Sequence, residues 1–201
     1  MLLTASPSRA KTLTFAGLEW EVKSGDGLGP GPNVWSDSNA WVDRDGRLHL
    51  KISWVDGNWR CAEVSTRRRF HFGKYEFFVS GPLDRLDKNV VLGLFNYRPG
   101  GPDKTNEIDI EFAQWGNSRS PRGSYAVWPA APGLRELSSK FDVRLNGSYT
   151  THRWSWDRKS ILMESLHGHR RDDSHRFAER LFAPADPRHI PQEPLPVHLN
   201  L

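Results

Sequence analysis

Three carboxylates occupy alternate positions in the segment NEIDIEFAQW, residues 106–115, with isoleucines between them. In a β-strand, alternate side chains point to the same side, so Glu107, Asp109 and Glu111 would share one face while Ile108 and Ile110 point to the other. Neighbouring carboxylates repel one another and raise one another's pKa values. A strand with a purely structural role gains nothing from this repulsion, which indicates a chemical role for the acidic face.

The spacing of the two glutamates suits the hydrolysis of glycosidic bonds. At about 3.3 Å per residue, their Cα atoms lie roughly 13 Å apart in a strand, and side chains that lean inward leave about 5 Å between the carboxyls. Retaining glycosidases use this separation: one carboxylate attacks the anomeric carbon, and the other protonates the leaving oxygen and later activates water. Asp109 is shorter, and it could share a proton with the nucleophile.

Two other interpretations of the acidic face remain open. The carboxylates could be solvated residues on the open face of a sheet. They could also bind Ca²⁺, which takes clustered carboxylate oxygens, although a straight strand wraps poorly around an ion and no loop rich in Asp and Gly follows. A structural Ca²⁺ is therefore not indicated, and we expect no cofactor and no other metal.

Short alternating or β-rich segments recur along the chain, separated by turn sequences such as DRDG (43–46), RPGGPD (98–103) and LNGS (145–148). This organisation predicts an all-β protein, an antiparallel sandwich or jelly roll. The predicted strands occupy residues 47–55, 73–81, 89–97, 106–115, 123–128, 152–157 and 160–166. Residues 84–89 could form one helical turn, and residues 172–180 a short helix or an irregular loop.

Composition narrows the class of protein. With 201 residues, the chain has the length of a single all-β domain. Its 28 Lys and Arg residues barely outnumber its 24 Asp and Glu residues and are spread along the chain, so nucleic acid is not indicated as a partner. No segment approaches the roughly eighteen apolar residues of a membrane span, and the N-terminus lacks the features of a signal peptide. The single cysteine, Cys61, excludes an intrachain disulfide, and we expect a monomer.

Six motifs occur in the order and approximate spacing of a known enzyme family: CAEVST (61–66), FGKYEFFV (72–79), VVLGLFNY (90–97), EIDIEF (107–112), THRWSWD (151–157) and PVHLNL (196–201). In this combination the chain resembles glycoside hydrolase family 16, which includes lichenases, laminarinases, agarases and xyloglucan transglycosylases. The resemblance implies a concanavalin A-like β-jelly-roll sandwich of two antiparallel sheets over residues 16–201, after an N-terminal extension of residues 1–15. Because PVHLNL reads as a strand and ends the chain, we expect the domain to be truncated at its C-terminal strands.

The resemblance also implies roles for individual residues. Glu107 would be the nucleophile, Asp109 the assisting carboxylate and Glu111 the general acid/base, in the form of the motif that has no extra residue before the last Glu. Amides and carboxylates suit paired sugar hydroxyls, and aromatic faces suit the C–H side of a sugar ring. The positions that contact sugar in relatives are occupied here by Asn33, Glu63, Tyr97, Trp128 and Asn200.

Two positions depart from the lichenase pattern, because Ser65 stands where lichenases have Arg and Thr105 where they have Trp. The resemblance therefore implies the reaction class rather than the sugar. We expect a retaining, endo-acting glycoside hydrolase that cleaves a β-linked polysaccharide of the β-glucan or galactan class. A non-catalytic glycan-binding module and a transglycosylase on the same fold are the alternatives. The family implies a secreted or periplasmic protein with a polysaccharide as its partner.

The chain contains nine tryptophans, which serve either as core residues or as sugar platforms. Trp115 falls on the same face as Glu111 at the end of the acidic strand, where it could form the floor of a sugar cleft. Four tryptophans in alternating or apolar segments are expected in the core: Trp20, Trp54, Trp154 and Trp156. Three near turns could rim the cleft: Trp35, Trp41 and Trp59.

Overall fold

The computed structural model describes residues 10–201, which divide into two compact units: residues 10–68 together with 200–201, and residues 69–199. The chain is nearly all β, and its fold is a jelly-roll sandwich, as predicted. Helix in the described residues is limited to three 3₁₀ turns, at Asp37–Asn39, Leu83–Arg85 and Pro187–His189. None of the helices within residues 10–201 is long and apolar enough to cross a membrane.

The first unit is built from short strands: β1 (Thr12–Phe15), β2 (Leu18–Val22), β3 (Gly25–Leu28), β4 (Asn33–Trp35), β5 (Ala40–Val42), β6 (Leu48–Leu50), β7 (Ser53–Val55), β8 (Asn58–Cys61) and β9 (Glu63–Thr66). Strands β1, β2 and β9 pair in that order, β5 pairs with β6, and a third sheet has the order β3-β4-β8-β7. Strands β4 and β8 run parallel, which the prediction of antiparallel sheets did not include. Strand β1 begins inside the predicted N-terminal extension, of which residues 1–9 lie outside the described residues.

The remaining strands lie in the second unit, apart from Asn200 at the end of β18: β10 (Gly73–Ser80), β11 (Val91–Tyr97), β12 (Glu107–Ala113), β13 (Gly123–Trp128), β14 (Leu137–Phe141), β15 (Tyr149–Trp156), β16 (Ile161–His167), β17 (Arg176–Phe182) and β18 (Val197–Asn200). They form two antiparallel sheets with the orders β18-β11-β12-β13-β14 and β10-β15-β16-β17. The predicted strands are confirmed to within a few residues, except that the segment 47–55 divides into β6 and β7.

The core of the second unit lies between these two sheets. Ile108, Ile110 and Phe112, the apolar side chains of β12, are completely buried. A hydrogen bond of 2.7 Å, donated by the Tyr125 hydroxyl to Ser165 Oγ, joins β13 to β16 across the core. The alternation in β12 therefore has the predicted result: its apolar face is packed, and its carboxylates point to the opposite side of the sheet.

Two local predictions are wrong. Residues 176–180, predicted as helix or loop, begin the edge strand β17. Backbone pairing with β16 forms this strand, and the local sequence pattern does not indicate it. Trp54, predicted in the core, is 58% exposed, while Trp20, Trp154 and Trp156 are buried as predicted. Alternation identifies the residues that share a face of β7, but only packing decides whether that face is covered.

A buried ionic network spans the sheet of β10, β15, β16 and β17. Arg153 is 1% exposed and binds Glu164 through two hydrogen bonds, of 2.7 Å from Nε and 3.0 Å from Nη2. Arg176 reaches the same carboxylate at 2.9 Å, and Asp173 forms a further ion pair with Arg153. These contacts hold the pKa of Arg153 above its usual range, mainly through Glu164. The guanidinium is therefore a structural part of this sheet.

We expect Arg153→Ala to lower the free energy of unfolding by about 3 kcal/mol, because the substitution leaves the Glu164 carboxylate buried with a single cation. Guanidinium-induced unfolding measures the change. The control is Arg188→Ala, which removes an exposed ion pair with Asp186 and should leave the unfolding midpoint in place. Equal midpoints for both variants would show that the network contributes nothing to stability.

Candidate active site

The acidic face of β12 forms the floor of a cleft in the second unit. Asp109 is buried at 5% exposure, whereas Glu107 and Glu111 on either side are half-buried. The two neighbouring strands are fully paired with β12, so the strand is held straight from Glu107 to Phe112. This pairing keeps all three carboxylates on one side without a bulge, as the motif without an extra residue predicts.

Strand register places the partners of each carboxylate on the same face of the sheet. Across β11, β12 and β13, Glu107 lies between Tyr97 and Trp128, Asp109 between Phe95 and Ala126, and Glu111 between Gly93 and Ser124. Strand β14 extends the last two rows, with Ser138 beside Ala126 and Lys140 beside Ser124. The small side chains on β13 leave room above Asp109 and Glu111, and the cleft has a volume of about 400 Å³.

Trp115 and Trp128 line the cleft together with the carboxylates, and their role as sugar platforms stays a prediction. Beyond β12, Gln114 donates hydrogen bonds to the carbonyls of Ser118 and Ser120, which hold the turn that carries Trp115. Trp115 has a positive φ of 45°, a costly conformation for a bulky residue, and its ring stays 48% exposed. The turn therefore presents a partly exposed indole at the side of the cleft.

Asp109 is the buried carboxyl at the centre of the acidic row. Burial is the largest cause that raises its pKa well above the usual range, and the charges of Glu107 and Glu111 add to it. A hydrogen bond between the Asp109 and Glu107 carboxyls acts in the same direction, because two carboxyls can share such a bond only through a proton. The Trp128 indole N–H donates to Asp109 and opposes this shift. Sharing of a proton between Asp109 and Glu107 stays a prediction.

Glu111 titrates near neutrality. Burial, the largest cause, and the nearby Glu136 carboxylate raise its pKa to about 7, against the Lys140 ammonium, which lowers it. Lys140 Nζ lies 5.0 Å above the centre of the Trp115 ring, so this cation is held beside the acid by an aromatic face. A carboxyl with a pKa near the working pH can both donate and accept a proton, which is the property that a general acid/base requires.

Five cleft residues were absent from the sequence prediction: Ser124 and Ala126 on β13, and three residues on or next to β14. Glu136, Ser138 and Lys140 line one wall of the cleft, from β14 and the residue before it. Their spacing of two is the only sequence signal, and it fits any exposed face of a strand. Packing of β14 beside β13 brings them to the carboxylates.

No family model matches this sequence, and no curated protein matches it. Solved structures do. A β-glucanase from Bacillus licheniformis has a TM-score of 0.67 at 20% identity, over 97% of this chain and 85% of that chain. A glycoside hydrolase family 16 endo-glucanase from Bacteroides ovatus has a TM-score of 0.68 at 13% identity, over 94% and 82%. A Mycobacterium tuberculosis protein described as a pseudo β-1,3-glucanase has a TM-score of 0.64 at 16% identity, over 90% and 78%. The chain has a glycoside hydrolase family 16-like fold.

The family 16-like fold divides the predicted sugar contacts between the two units. Tyr97 lies opposite Glu107 and has its ring 5.9 Å from that of His198, although it does not line the cleft described above. In the first unit, Asn33 donates to the Pro30 carbonyl at 2.6 Å, and the buried Glu63 accepts from Lys23 Nζ at 2.9 Å. Asn200, also in that unit, is 8% exposed. Sugar binding by these four residues stays a prediction.

The two residues that depart from the lichenase pattern, Thr105 and Ser65, lie in different units of this family 16-like fold. Thr105 is buried at 1% exposure, and its hydroxyl donates to the Pro102 carbonyl at 2.7 Å, so it closes the turn before β12. Ser65 is half-buried on β9 in the first unit. Thr105 therefore offers no aromatic face to a sugar at a position where lichenases would have one.

Metal ligands are not grouped in the described residues. Within residues 10–201, no set of three or more His, Cys, Asp or Glu side chains is placed to hold a metal ion. The acidic row on β12 shows the reason, since its carboxylates lie side by side along a straight strand rather than around a point. The expectation that no cofactor is needed stays a prediction.

Proposed function

We propose that this protein is a retaining, endo-acting glycoside hydrolase that cleaves a β-linked polysaccharide of the β-glucan or galactan class. The observation that carries the proposal is a single cleft lined by all three carboxylates in environments that shift their pKa values unequally. The pKa of Asp109 is raised well above its usual range, chiefly by burial, while that of Glu111 is raised to about 7. Adjacent carboxyls with separated pKa values are typical of paired nucleophilic and acid/base catalysis.

The first step breaks the glycosidic bond. The Glu107 carboxylate attacks the anomeric carbon, the bond from that carbon to the glycosidic oxygen breaks, and protonated Glu111 gives its proton to the departing oxygen. The hydrogen bond from Asp109 holds Glu107 in place and withdraws charge from the oxygen that it contacts. The products of this step are a glycosyl ester on Glu107 and the released sugar with its new hydroxyl.

The second step returns the protein to its starting state. The Glu111 carboxylate takes a proton from water, and the resulting hydroxide attacks the anomeric carbon. The bond to Glu107 breaks, and its electron pair returns to the carboxylate. Two inversions at the anomeric carbon retain its configuration. Trp115 and Lys140 are exposed beside Glu111, so the cleft is open on the leaving-group side, and a polymer could extend through it.

The test is the release of reducing ends from a panel of β-glucans, xyloglucan, agarose, carrageenan and porphyran. We expect one polymer class to be cleaved to internal fragments by the wild-type chain. Glu193→Gln, at an exposed position ion-paired with Arg98, is the control that should cleave equally well. Absence of release from the whole panel by a folded protein would reject the hydrolase.

A glycan-binding module is the second candidate. It is favoured by one of the structurally similar proteins, which is described as a pseudo β-1,3-glucanase. Thr105 and Ser65 also replace residues that lichenases have near the nucleophile and in the CAE segment. Retention of the protein on one polymer of the panel, with no release of reducing ends, would support this candidate over the hydrolase.

The pH dependence of the reaction should depend on Glu136 and Lys140. The first step needs protonated Glu111, so kcat/KM should fall as the pH rises through about 7. Glu136→Gln removes a charge that raises the Glu111 pKa and should move this fall to lower pH. Lys140→Met removes a charge that lowers the pKa and should move it to higher pH. Profiles of kcat/KM against pH check both shifts; shifts in the same direction would contradict this account.

A further inference from the structure

Two tryptophans stand exposed on a hairpin of the first unit. Strands β7 and β8 are joined by Asp56 and Gly57, whose φ values of 50° and 76° are typical of a tight two-residue turn. The register pairs Trp54 with Trp59, which are 58% and 62% exposed. Their ring centres are 5.1 Å apart, with 64° between the ring planes. This edge-to-face pair is held in a defined geometry while much of its surface meets solvent.

The pair continues a row along one face of its sheet. Cys61 follows Trp59 by two residues and therefore shares its face, and the register places Trp35 beside Cys61 on β4. Lys23 Nζ lies 4.3 Å above the Trp35 ring and 2.9 Å from Glu63 Oε2. The row thus leads from the exposed indoles to Glu63, which the sequence predicts to hold sugar hydroxyls.

The chemistry of the exposed pair favours a neutral sugar chain. An indole offers a flat apolar face and one N–H donor, which match the C–H side and the hydroxyl edge of a pyranose ring. The side chains of the row itself are uncharged: Trp54, Trp59, Cys61 and Trp35. A second copy of this chain is a poorer occupant, since two indoles of about 150 to 250 Å² each cover less than the roughly 800 Å² per partner of a stable dimer.

We propose that Trp54 and Trp59 form a second polysaccharide contact, which binds a neutral β-linked glucan chain by stacking at the hairpin of β7 and β8. The inference rests on the proposed function for the class of ligand. Trp54 and Trp59 lie in the first unit, whereas the carboxylates lie in the second. Binding through this contact requires no turnover, so the two proposals can fail separately.

The test is retardation in native gels that contain mixed-linkage β-1,3-1,4-glucan or β-1,3-glucan, with Glu107→Gln as the parent so that the polymer is not cleaved. We expect Trp54→Ala/Trp59→Ala to raise the apparent Kd for the polymer at least about tenfold. Trp54→Tyr/Trp59→Tyr keeps two aromatic faces and should stay within about threefold of the parent. Trp41, which the sequence suggested could rim the cleft, does not line it, and one face of its ring is covered by His49, stacked at 4.9 Å. Trp41→Ala is therefore the control and should bind as the parent does.

Several outcomes would overturn the inference. Equal retardation of the parent and the double alanine variant would do so, as would absence of retardation of the parent in both polymers. A parent that sediments as a dimer, and becomes a monomer in the double alanine variant, would assign the pair to a second copy of the chain. Retardation that depends on the pair, in a protein that releases no reducing ends, would reject the hydrolase and leave this contact standing.

Discussion

Glu107→Gln is expected to lower the rate of polysaccharide cleavage at least about 10⁴-fold, because an amide cannot form the glycosyl ester on which both steps depend. The Asp109 carboxyl beside Glu107 has a pKa held well above its usual range, chiefly by burial, and shares a hydrogen bond with Glu107. The measurement is reducing-end release by the variant and the wild type on the polymer that the panel identifies.

The folding of the Glu107→Gln variant decides how the loss is interpreted. Glu107 is half-buried, and its charge raises the pKa of Asp109, so the amide relieves repulsion at this point of β12. The free energy of unfolding should therefore stay at or above that of the wild type. Glu193→Gln makes the same chemical change at an exposed site and should retain full activity. A folded Glu107→Gln variant with near-normal activity would exclude Glu107 as the nucleophile.

Glu111→Gln is expected to lower cleavage of natural polymers by about 10²- to 10⁴-fold, the range that general acid–base catalysis contributes. The loss should depend on the leaving group. A dinitrophenyl glycoside departs without a proton, so the first step should be spared while the second, which needs Glu111 as a base, stays slow. Stopped-flow release of dinitrophenol should then show a burst followed by slow turnover.

Comparison of the two variants on both substrates separates the two roles. Glu107→Gln should show no burst with the dinitrophenyl glycoside, because no ester can form. For Glu111→Gln, the ratio of activity on the activated substrate to activity on the polymer should rise well above the wild-type ratio. Equal losses on both substrates would show that Glu111 does not protonate the leaving oxygen.

Local sequence was a reliable guide where a residue's surroundings follow from its own strand. Ile108 and Ile110 are buried and Glu107, Asp109 and Glu111 share the opposite face, because side chains in a strand alternate whatever the neighbours are. The family motifs predicted the jelly-roll fold, and the similar solved structures confirm it. The same alternation was insufficient for Trp54, since β7 lies at the edge of its sheet and the indole stays 58% exposed beside Trp59.

By itself, the sequence determined that three carboxylates stand in one row on an all-β scaffold, because strand period and residue type are local properties. Only the tertiary structure decided how those carboxylates titrate. Glu136 and Lys140, which shift the pKa of Glu111 in opposite directions, come from the segment around β14, more than twenty residues along the chain. The burial that raises the pKa values of Asp109 and Glu111 depends on which strands pack beside β12. Desolvation and charge act through space, so a protonation state follows from packing and cannot be obtained from spacing along a strand.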